Sequence, residues 1–244
     1  FQDKGELRLG NDRKGNLLRF DFERDGLHRH LGGGIPKGTL VVISGGVGSG
    51  KSALVQRLTY GFLLHQHSST IISTEMTTKS FLDQMESLDY SVKRYLMEGM
   101  VRFVPAFPLI GRAKKRADFL SRLMSTQGLY ETDVVAIDTF SALVMNDINE
   151  GKALQAISFL KKITGRNRTV IMTIDPDDLP KDIMAPFRSV ADILIELDTN
   201  VVEGAMEHVL YVTRYSHAFG PVSTAVGFRI EPRAGLIVDI TTVA

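Results

Sequence analysis

The octapeptide GGVGSGKS at residues 45–52 constrains this chain more than any other stretch. It has the form of a phosphate-binding loop, with Gly45, Gly50, Lys51 and Ser52 in the fixed positions. Glycines let backbone N–H groups turn inward around phosphate oxygens without a Cβ in the way, and the helix that follows aims its positive end at them. The pattern carries that meaning only between a strand and a helix. Both flanks comply: TLVVIS at 39–44 is an apolar run, and apolar residues then fall at 54, 55, 58, 62 and 63, which is helical spacing. A glycine-rich turn matching by chance is the competing reading, and these flanks argue against it. The expected nucleotide-binding set is Gly45, Gly46, Val47, Gly48, Ser49, Gly50, Lys51, Ser52 and Ala53. Within it Lys51 would bridge the β- and γ-phosphates and the Ser52 hydroxyl would be a Mg2+ ligand.

The rest of the chain supplies the frame such a loop needs. Residues 1–22 are polar with weak periodicity and read as a loosely held extension, with order expected from about Glu23. Residues 23–244 read as one domain; at 244 residues and 43% hydrophobic content a second domain is allowed but not required. A short helix through Leu27 and Leu31 ends at Gly32. Strands follow at 39–44, 70–74, 100–104, 133–138, 169–174 and 190–197. Between them lie helices at 52–65, 78–88, 92–98 (with Ser91 as N-cap), 113–127 and 150–164, and a Pro- and Asp-rich loop precedes the last strand. This alternation predicts an α/β fold with a mostly parallel sheet covered by helices on both faces. From Glu207 the pattern changes to short strands at 207–214, 224–230 and 235–241, read as antiparallel additions at one edge of the sheet.

Composition narrows the function. The 29 Lys and Arg against 28 Asp and Glu leave a net charge of +1, so no global field attracts nucleic acid or an anionic membrane. The absence of cysteine removes disulfides and thiolate metal sites, which suits a reducing cytosol. The apolar run at 134–145 is about half of the roughly 20 residues a membrane span needs, and Asp138 interrupts it. Nothing at the polar start resembles a signal peptide, so a soluble protein is expected, with residues upstream of Phe1 left open. His65 and His67, two apart on a helix, face different directions and do not suggest a metal site.

A Mg2+-nucleotide site also needs a carboxylate at the end of a neighbouring apolar strand, and VVAID supplies Asp138, with Thr139 or Ser141 as assistants. In IISTEMTTKSF, Glu75 stands where another apolar run stops. It would polarise an attacking water or, in the plainer reading, cap the helix near Thr78. The run RAKKR at 112–116 reads as a solvated helix face, then as a contact for an acidic partner or anionic headgroup. The segments NDINEG and DPDDLPKD are acidic, which speaks against nucleic acid. Phe103, Phe107, Phe119 and Phe159 read as core fillers.

Together, LGGGIPKG, GGVGSGKS, STEMTTKSFL, VVAIDTFSAL and TIDPDDL, in this order and spacing over about 30–240, resemble the KaiC group of RecA-like ATPases. Within that group the chain resembles the accessory ATP-binding proteins of the archaeal flagellum, the archaellum. The resemblance implies a RecA-like core binding ATP and Mg2+ and assembling as a ring, a homo-hexamer, at the cytoplasmic face of the archaellum motor. Its partners there would be the motor ATPase, the membrane platform protein and cytoplasmic ring components, so that it is peripheral to the membrane through them. It also implies weak or absent hydrolysis. Glu75 matches the family's catalytic Glu, and Arg214, ending an edge strand, matches a finger offered to the neighbouring subunit's nucleotide; an exposed arginine on a sheet edge is the plainer reading. Two departures bear on turnover: Met76 stands where relatives carry a second Glu, and Asp175 stands where a TIHP-type segment has His. The alternative function is an active KaiC- or RecA-like ATPase in signalling or DNA recombination.

Overall fold

The computed structural model describes residues 15–106, 118–202 and 205–239. The apolar runs become strands of a single nine-stranded sheet: β3 (Leu40–Gly45), β4 (Ser69–Ser73), β5 (Val101–Pro105), β6 (Val134–Asp138), β7 (Thr169–Ile174), β8 (Ile193–Val202), β9 (Ala205–Tyr215), β10 (Ala225–Glu231) and β11 (Gly235–Val238). The spatial order is β11-β10-β9-β8-β3-β7-β6-β4-β5. Strands β8, β3, β7, β6, β4 and β5 run parallel, whereas β9, β10 and β11 add antiparallel beyond β8. The expected mostly parallel sheet with antiparallel C-terminal edge strands is what forms.

Period-two alternation divides the central strands between two cores. Val41 and Ile43 belong to one cluster of buried residues, while Leu40 and Val42 belong to the other, on the opposite face. The first face is covered by α2 (Lys51–Leu64), α3 (Thr78–Ser87), α4 (Lys93–Met97) and the N-terminal segment with α1 (Leu27–His30). The second is covered by α5 (Phe119–Ser125), α6 (Phe140–Val144), α7 (Glu150–Thr164) and α8 (Lys181–Val190). Strands buried on both faces have no polar side to alternate with, which is why they read as continuous apolar runs.

Several sequence expectations are corrected. Residues 17–22 are not loosely held: β1 (Leu17–Leu18) pairs with β2 (Ile35–Pro36), and Leu18 and Phe20 are fully buried. Gly61 on α2 allows this, since a Cβ there would lie 2.5 Å from Phe20 O. Ser91 does not cap a helix; α4 starts later, behind Val92, with no side-chain cap. The Pro- and Asp-rich stretch contains α8, with Pro186 inside it, so β8 begins at Ile193 rather than 190. The run RAKKR and Phe107 lie outside the described residues. Phe103 stacks on Phe81 with ring centroids 4.3 Å apart, whereas Phe159 is only half-buried. Among the described residues no helix is long and apolar enough to cross a membrane.

Candidate nucleotide-binding site

Parallel registers bring the C-terminal ends of the strands to one rim of the sheet. Ser44 pairs with Ile174 between β3 and β7, and Ser73 with Asp138 between β4 and β6. The residues that leave these strands therefore surround a shared cavity of about 430 Å³. Residues 47–53 line one side; Glu75, Met76, Thr139, Asp175 and Asp178 line the others. Gly45 and Gly46 touch the site through their carbonyls, which accept hydrogen bonds from Lys51 Nζ.

The loop holds the conformation its glycines were expected to permit. Gly50 has φ of 89°, in the left-handed region, and a Cβ there would also lie 3.2 Å from the Phe228 ring of β10. Helix α2 starts at the next residue, so its unsatisfied N–H groups face the cavity. Val47, at the loop tip, is almost fully exposed.

The predicted Mg2+ ligands meet. Ser52 Oγ donates to Asp138 Oδ1 at 3.1 Å, and Thr173 Oγ1 donates to the same oxygen at 3.1 Å. Burial pushes the Asp138 carboxyl up to about 6, and the nearby Glu75 charge adds to the rise. A hydroxyl and a carboxylate short of positive charge are oxygen donors of the kind Mg2+ takes, alongside phosphate oxygens. Among the described residues no group of three or more His, Cys, Asp or Glu could hold a metal ion by itself.

Glu75 does not cap α3. Thr77 does so, its hydroxyl accepting from Ser80 N at 3.0 Å. Glu75 instead receives a hydrogen bond from Thr139 Oγ1 at 3.0 Å. Thr139 adopts φ 57° and ψ 63°, a left-handed conformation that costs a β-branched residue roughly 1–3 kcal/mol. Its N–H donates to Thr173 Oγ1 at 2.6 Å, so a short chain of bonds ties Glu75 to the Asp138 side of the cavity. Strain held in this way, next to buried carboxylates, is characteristic of functional sites.

Asp175 is placed against the loop lysine. Its Oδ2 lies 3.6 Å from Lys51 Nζ, and both side chains are about nine-tenths buried. Asp177 N–H holds the other oxygen at 3.1 Å. Beside it, Ser141 Oγ accepts from Asp175 N–H and donates to Asp178 Oδ2. Sequence reasoning missed Thr173 and Asp178, although a hydroxyl and an acid at the end of TIDPDD were visible signals. It had no signal for Ile230, which reaches the cavity from a strand far along the chain.

Arg214 does not line this chain's own cavity. Its Nη1 is within 2.8–2.9 Å of the carbonyls of Arg188, Ser189 and Ala191, at the end of α8. There it satisfies carbonyls that a helix C-terminus leaves open.

The family model described as "ATPase: KaiC" matches residues 25–238. The chain belongs to the KaiC family of ATPases. Among its KaiC-family relatives is the archaeal flagellar ATP-binding protein FlaH of Methanocaldococcus jannaschii, 39% identical over 93% of this chain and 98% of that protein. FlaH of Methanococcus voltae is 35% identical over 93% of this chain and 98% of its own length. The crystal structure of the flagellar accessory protein FlaH from M. jannaschii superimposes with a TM-score of 0.88 at 38% identity, covering 92% of this chain and all of that one. The fold is thus the KaiC/RecA-like ATPase core, and the chain is a FlaH homologue within the KaiC family.

Proposed function

We propose that this chain is an ATP- and Mg2+-binding, ring-forming regulatory or structural component of the archaeal flagellar motor, in which occupancy of the nucleotide site matters more than turnover. The motor assignment is supported by the names that its FlaH relatives carry. The ring would be a homo-hexamer at the cytoplasmic face, in contact with the motor ATPase, the membrane platform protein and cytoplasmic ring components. Lys51 and residues 45–53 would hold the phosphates, and Ser52 and Asp138 would hold the Mg2+, which neutralises phosphate charge when bound.

The observation that carries the emphasis on binding is the Lys51–Asp175 pair. A phosphate drawn to the Lys51 ammonium would compete with two loop carbonyls that accept its hydrogen bonds and with the buried Asp175 carboxylate 3.6 Å away. Filling the site would then redistribute these contacts, which is how bound nucleotide would bias the loop in a binding-driven switch. Efficient phosphoryl transfer, by contrast, needs additional positive charge around the transferring group. Lys51 is the sole cationic residue among those described as lining the cavity, whereas Glu75, Asp175 and Asp178 are acidic.

Glu75→Gln is the test. Equilibrium binding and analytical ultracentrifugation are expected to show ATP affinity and ring assembly unchanged, with slow turnover in both forms. Rapid multiple turnover by the natural chain, eliminated by Glu75→Gln, would overturn the switch in favour of an active ATPase. Salt-sensitive DNA binding would point to recombination.

A second expectation concerns Asp175 itself. Asp175→Asn keeps an oxygen for the Asp177 N–H but removes the charge facing Lys51. Competition titrations should show Mg-ATP binding tightened by about tenfold, or about 1.4 kcal/mol. A weakened affinity would mean that Asp175 supports the bound nucleotide instead.

A further inference from the structure

A second cavity, of about 510 Å³, lies at the opposite rim of the sheet, beside the N-terminal ends of β6 and β7. Its apolar wall is formed by Tyr130, Ile163, Phe159 and Met124, of which Tyr130 and Ile163 are nearly fully buried. Tyr130 donates its hydroxyl to Leu123 O, so its polar end is satisfied and its ring serves as an apolar surface. Around this wall stand Lys162, Arg166 and Arg168. Arg168 pairs with Asp133, and Glu131 on the rim is 3.7 Å from Arg102. Lys162 and Arg166 are exposed and have no ion pair among the described residues.

We propose that this cavity is a docking site for an acidic segment of a partner protein, seating one bulky apolar side chain between carboxylates. A mixed depression, with a recessed apolar wall on one side and Gln127, Lys162, Arg166 and Arg168 around it, is complementary to a peptide of that kind. The depression excludes water around the anchor, and guanidinium and ammonium groups at its edge receive carboxylates. The volume is in the range of clefts that bury a small ligand or a few side chains. A membrane fits less well. The apolar groups are recessed rather than protruding, none of the large exposed hydrophobics among the described residues lines the cavity, and Glu131 would face anionic headgroups. The site stands apart from the nucleotide cavity and does not depend on its occupancy or on the function proposed for it.

The test is fluorescence anisotropy of the full chain with a labelled peptide alternating Glu with Leu and Phe. The expected result is saturable binding that weakens with salt and drops by about tenfold in a Lys162→Glu/Arg166→Glu variant. The same variant should keep its circular dichroism and its affinity for Mg-ATP, because both side chains are exposed. A milder Lys162→Gln/Arg166→Gln variant should fall between. Failure of the natural chain to bind, or equal binding by the charge-reversed variant, would overturn the proposal. So would binding to phosphatidylserine–phosphatidylcholine vesicles that exceeds peptide binding and depends on the same two residues.

Discussion

Lys51→Ala is expected to remove measurable Mg-ATP binding, a loss of at least about 100-fold, while the chain remains folded. The loss exceeds that of one charge-assisted contact. Lys51 Nζ is the cation against which the phosphates would be held, and it also offsets Asp175 at 3.6 Å. Without it, an entering polyanion meets Asp175, Asp178 and Glu75 with no lysine between them. Removing one partner of a buried pair typically costs about 3–5 kcal/mol, mostly because the other charge is left uncompensated. Calorimetric titration would measure the loss directly. Thermal unfolding offers a second readout: a ligand at about 100 times its Kd stabilises the folded chain by about 2.7 kcal/mol, and the variant should gain none of this. Adding Asp175→Asn to Lys51→Ala should restore part of the binding, since it removes the orphaned acid. Natural affinity in the single variant would sink both the assignment of the loop and the switch built on it.

The features legible in the sequence are those whose cause is local. The phosphate loop needs glycines, Lys51 and Ser52 in a fixed order, and the strands flanking it are buried on both faces, so their apolar runs stand out. Asp138 was legible because an acid ending such a run is conspicuous. Helix α8 was hidden by Pro180, Pro186 and the acids before it, which read as loop; its stability comes from packing Ile183, Met184 and Phe187 against the second core. Residues 17–22 were hidden because their polar neighbours mask Leu18 and Phe20, whose burial depends on α2 lying above them. The location of Glu75 at the cavity follows from its strand end. Its bond to Thr139 was not, because it depends on a left-handed backbone at Thr139 that no side-chain pattern announces. Likewise, Arg214 was legible as an arginine ending a strand, but the three carbonyls it meets lie at and just beyond the end of the helix that sequence reading missed.

The same non-local logic governs stability at the N-terminal segment, where Asp25→Ala is expected to destabilise the chain by about 3–5 kcal/mol. Asp25 and Arg57 are both fully buried at the side chain and form a two-point pair: Oδ2 accepts from Arg57 Nε, and Oδ1 accepts from Nη2 at 2.9 Å. Oδ1 also receives Leu27 N–H at 3.0 Å, starting α1, while Arg57 Nη1 donates to Phe20 O at 3.2 Å. The guanidinium carbon further lies 5.1 Å from the centre of the Phe22 ring. One arginine on the helix of the phosphate loop thus gathers residues 20–27 onto the first core. Removing the carboxylate leaves a buried cation with no counter-charge, the costly half of a broken pair. Chemical denaturation should show a lower midpoint with little change in slope. A second substitution distinguishes lost charge compensation from lost packing: Asp25→Ala with Arg57→Met should recover much of the stability, because an apolar side chain of similar length needs no partner. If the double variant is as unstable as the single one, the pair acts through its hydrogen bonds to the segment rather than through its charge. In either case Arg57 makes the seating of the N-terminal segment sensitive to the position of α2, the helix whose first residue is Lys51.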